Sequence, residues 1–101
     1  WLNKDTLLAA MQADTRAGLA MLEPYADKYP VAALWVRAGR LQLDYIGLLQ
    51  HVFAWEATPA TRRPRILEFR AAAQAFYESE QAPLSAARNA GLLVDLLLDL
   101  P

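Results

Sequence analysis

Apolar positions recur every three to four residues along most of this chain, and prolines interrupt the pattern. That spacing is one face of an α-helix, repeated. From about Lys4 to about Glu23, the positions Leu8, Met11, Gly18, Leu19 and Leu22 share a face, with Thr15 in the same stripe. Asn3 or Asp5 supplies the side-chain acceptor that caps such a helix. The segment from Glu23-Pro24-Tyr25 to Tyr29-Pro30 predicts a bend or one short helical turn. Pro30 suits the first position of the next helix, where its missing N–H costs nothing.

The second helix, about Pro30 to Glu56, carries the densest pattern. Leu34, Ala38, Leu41, Tyr45, Leu48, Val52 and Trp55 alternate four- and three-residue steps, which is a heptad seam. Val31, Trp35, Ile46, Leu49 and Phe53 form a second apolar row beside it. Only a narrow stripe of Arg37, Arg40, Asp44 and His51 stays polar, with Gly47 in line. A helix apolar over most of its circumference needs more than one covering neighbour, so helix two is expected at the centre.

Thr58-Pro59 and Thr61 end that pattern and open a third helix, about Thr61 to Glu80, with Pro64 in its first turn. Its stripe is Ile66, Phe69, Ala73 and Phe76, with Leu67 and Tyr77 on the shoulder. Ala82-Pro83 opens a fourth, about Pro83 to Asp99, whose inward positions are Leu84, Ala87, Gly91, Val94 and Leu98. The prediction is an all-α fold: one compact up-and-down four-helix bundle spanning residues 1–101, with short loops marked by proline.

Composition supports the helical reading and narrows the chemistry. Ala and Leu supply 38 residues against ten for Val, Ile and Thr, and straight or small side chains lose least on entering a helix. With 55% hydrophobic and 21% charged residues, the 101-residue chain can bury a core. Zero cysteines and one histidine exclude disulfides, thiolate metal sites and His-rich metal clusters. A formal charge of −1 removes the general electrostatic case for nucleic acid. The longest uncharged apolar run, Tyr45 to Trp55, has eleven residues. A membrane span needs about 20, so no membrane partner is expected. No basic N-terminal stretch leads into an apolar run, so no signal peptide is expected. The compartment stays open.

Glycine is costly inside a helix, so Gly18 and Gly91 in core stripes predict close helix contact, while Gly39 and Gly47 are as readily drift. His51 is the first candidate for acid–base work, yet no Ser, Asp or Glu stands three or four residues from it. It reads as a partly exposed helix histidine. Haem ligation by His51 with Met11 or Met21 has only residue type behind it. The acidic pairs Glu23–Asp27, Glu78–Glu80 and Asp95–Asp99 read as solvated carboxylates, and a two-iron site lacks its Glu-x-x-His motifs. Arg62, Arg63 and Arg65, with Arg70 beyond, form the main charge cluster and a weak candidate patch for an anion or an acidic partner. No aromatic residue interleaves these arginines, which argues against nucleic acid again.

The segment Arg37-Ala-Gly-Arg-Leu-Gln-Leu-Asp-Tyr-Ile-Gly-Leu resembles a helix of accessory helical regions in bacterial glycoside-hydrolase-like proteins. The resemblance implies a helical accessory region, and no catalytic residue transfers with it.

Two expectations about function follow. One is a structural helical bundle without catalysis or cofactor, requiring no partner, a reading that extends to a computationally generated protein with no natural function. The other is an interaction or oligomerisation module. From Leu92 to Leu100, seven of nine residues are Leu or Val, more than one buried face needs. Leu92, Leu96 and Leu100 are its candidate interface, used for self-association or for a protein partner.

Overall fold

The structure, a computed structural model, describes residues 3–80, 97, 98 and 100. Among these are three α-helices, α1 (Lys4–Leu22), α2 (Pro30–Val52) and α3 (Pro59–Glu80), with a 3-10 turn at Glu23–Tyr25. The described residues are all-α, as the spacing implied. The four-helix bundle is corrected to three described helices, and the fourth helix, expected at about 83–99, falls mainly outside the described residues. The last described helix is α3, and Val31 and Trp35 in the second row of α2 are 66% and 60% exposed. The described residues fall into two compact units, one up to Gln50 and one from His51.

The first unit is an antiparallel helical hairpin. Asn3, in extended conformation, caps α1 by accepting the Thr6 N–H at 2.8 Å, and Asp5 sits in the first turn where the helix dipole favours an acid. Leu8 and Leu19 are its buried residues. Eleven residues make about three turns, so these two leucines align, whereas Met11 and Gly18 lie about 60–80° round toward the rim. Both are exposed, which corrects their place in the stripe.

Pro24 lies in the 3-10 turn that follows α1. The N–H groups of Lys28 and Tyr29 then bond back to the Tyr25 carbonyl at 3.1 and 3.0 Å. The Tyr25 and Tyr29 rings tilt against each other, centroids 6.4 Å apart. Pro30 starts α2, and the N–H of Ala33 reaches the Tyr29 carbonyl at 3.0 Å.

The return helix meets α1 along a stripe different from the heptad seam. A Cβ built on Gly39 would lie 2.7 Å from Leu19 Cδ2, so the two helices touch there through a missing side chain. Buried Ala32 and Val36 share that stripe at three- and four-residue steps. One turn on, Gln42 Nε2 donates to Thr15 Oγ1 at 3.3 Å, and Thr15 Oγ1 donates to the Met11 carbonyl at 2.9 Å. Gly18 and Gly47 have nothing within 4 Å of a built Cβ. The expected roles of Gly18 and Gly39 are therefore exchanged.

In the second unit α2 stops at Val52, not at Glu56. The N–H groups of Ala54 and Ala57 bond three residues back, to His51 and Ala54 carbonyls at 3.3 and 3.0 Å, which is turn geometry. Trp55, placed on the seam by its spacing, is on this turn and 94% exposed. Helix α3 begins two residues earlier than its pattern suggested. Thr58 is its cap: the Thr61 N–H approaches Thr58 Oγ1 at 3.3 Å, and Thr58 N–H donates to Thr61 Oγ1 at 2.9 Å. This is the reciprocal arrangement of a capping box with Thr in the third position, and Pro59 occupies the first. Pro64 therefore lies inside the helix rather than in its first turn. Ile66, Phe69 and Ala73 are buried and Phe76 is half-buried, as their spacing predicted.

Candidate functional site

The cations at the start of α3 differ in burial. Arg62 stands four residues before Ile66, in line with Ile66, Phe69 and Ala73, and is buried to 8% exposure. Arg63 and Arg65 point to solvent. Arg62 is engaged by a neighbour, while its Nε is buried with no hydrogen bond. A cavity of about 10 Å³, room for one water, lies among Arg62, Ile66, Leu97, Leu98 and Leu100. Of the candidate patch, Arg62 is thus withdrawn from water, while Arg63, which lines the same cavity, and Arg65 are exposed. Burial of Arg62 was not legible in the sequence as a charge; its position in the apolar stripe was the available signal.

Leu100 is half-buried beside that cavity, and so are Leu97 and Leu98. These leucines are partly used within their own unit. Leu92 and Leu96 lie outside the described residues.

His51, in the last turn of α2, places Nε2 3.0 Å from the Thr61 carbonyl. A carbonyl only accepts, so Nε2 carries the proton and is not a ligand in this geometry. The imidazole ties the end of α2 to the first turn of α3 across residues 53–58. Met11 and Met21, its conceivable haem partners, are both exposed.

Glu23 and Asp27 lie opposite arginines. With Arg37, Arg40, Ala33 and Val36 they line an open groove of about 380 Å³ between the 3-10 turn and α2. Arg40 pairs with Glu23 at 3.8 Å, both side chains largely in water. An exposed pair of this kind contributes about 0–1 kcal/mol. Glu78 accepts from Gln74 Nε2 at 3.0 Å, one turn apart on α3. The Glu80 side chain, Asp95 and Asp99 fall outside what the structure describes. Among the described residues, no three His, Asp or Glu side chains converge as a metal site. No described helix is long and apolar enough to cross a membrane.

A further exposed feature is apolar. Val31 and Trp35, one turn apart on α2, are exposed, and Tyr29 at 57% exposure precedes them. Continuing at helical spacing, the row runs Val31, Trp35, Ala38, Gln42 and Leu49, without a charged residue. Gln42 is exposed, and Ala38 and Leu49 are half-buried. The spacing places Val31, Trp35 and Leu49 in a second apolar row with Ile46 and Phe53, which a neighbour in the bundle was expected to cover; of these, Ile46 is buried and Phe53 is exposed.

Comparison with protein-family models, with curated proteins and with solved structures gives no match. The resemblance of residues 37–48 to glycoside-hydrolase accessory helices gains no support from it.

Proposed function

We propose that this chain is a helical interaction module that associates with a second copy of itself through the Val31–Trp35 row of α2. The observation that carries the reading is the exposure of a tryptophan and a valine on one uncharged helix face. Large apolar faces left in water mark sites of association, with aromatic residues as the usual anchors. A two-fold interface brings one patch against its own copy, so charges of one sign on that patch would be brought together near the axis. The row carries none. A catalytic role has no constellation of groups behind it among the described residues.

The test is the mass in solution across a concentration series, by sedimentation equilibrium. The proposal expects a shift from 11.3 kDa toward twice that value as concentration rises. A mass of 11.3 kDa throughout overturns self-association.

A further inference from the structure

We draw no further inference here: the strongest candidate, the open groove between the 3-10 turn and α2 lined by Glu23, Asp27, Arg37 and Arg40, carries nothing, because Arg40 already pairs with Glu23 across the hairpin and nothing in the structure points to a ligand in it.

Discussion

Gly39 shows how little of a helix contact resides in the residue type alone. Replacing glycine by alanine in a helix interior gains up to about 1 kcal/mol of propensity. At Gly18 and Gly47 nothing opposes that gain, because a Cβ there meets open space. At Gly39 the new methyl would lie 2.7 Å from Leu19 Cδ2 and 3.2 Å from its Cγ, and Leu19 is buried. Overpacking of this kind costs about 1–3 kcal/mol, more than the gain. We predict that Gly18→Ala and Gly47→Ala raise the thermal midpoint and that Gly39→Ala lowers it. Equal shifts for all three would show that α1 does not approach α2 at that point.

Tyr45 gives a residue-scale prediction in pH. Desolvation raises its phenol above the ordinary value of 10.0. The folded state therefore keeps the proton at a pH where the unfolded chain has lost it, so this contribution to stability falls as pH rises past 10. Tyr45→Phe should flatten the decline of thermal midpoint between pH 9 and 11 (about one unit either side of the phenol value). Identical slopes for both proteins would mean that Tyr45 ionises as readily folded as unfolded.

At the scale of the element, helix boundaries were the less legible part. The stripes of α3 and the start of α2 could be read from spacing, because Ile66, Phe69 and Ala73 repeat along one face and Pro30 suits a first turn. The start of α3 could not, since its cap pairs Thr58 with Thr61 where a glutamate or glutamine is usual. Nor could the end of α2, where apolar spacing runs on through a turn to Trp55. Spacing records which residues would share a face if the helix continued, not whether it does.

Two substitutions test these boundaries. Thr58→Ala removes the side-chain cap and should cost about 1 kcal/mol in denaturant unfolding. If α3 instead began at Thr61, the change would be near zero. Pro64 lies in the helix interior, where it lacks the N–H that would reach the Ala60 carbonyl. Its side chain is exposed, so alanine can replace it without a cavity. Pro64→Ala should stabilise by about 1–3 kcal/mol, part of the propensity gain being offset by a freer unfolded chain. A loss of stability would mean that the chain bends at residue 64 to make its contacts.

On the scale of the whole molecule, the all-α class was legible because Ala and Leu dominate and apolar positions follow helical spacing throughout. The four-helix arrangement was not. Spacing shows that the row from Val31 to Leu49 is uncharged and mostly apolar, but not whether another part of the same chain or another molecule covers it. The candidate site changed for the same reason. Arg62 reads as part of a basic cluster by type and as part of a core stripe by position, and position decides its burial.

Association through α2 is the central claim, and a pair of tryptophan variants tests it most directly. Trp35→Glu and Trp55→Glu make the same chemical change at two exposed sites, one on the apolar row and one on the turn after α2. Sedimentation equilibrium, with helicity checked at 222 nm, should find the dimer lost in Trp35→Glu and kept in Trp55→Glu. A dimer that survives Trp35→Glu but disappears in Leu96→Glu would contradict the account and place the interface on the leucine-rich C-terminal segment.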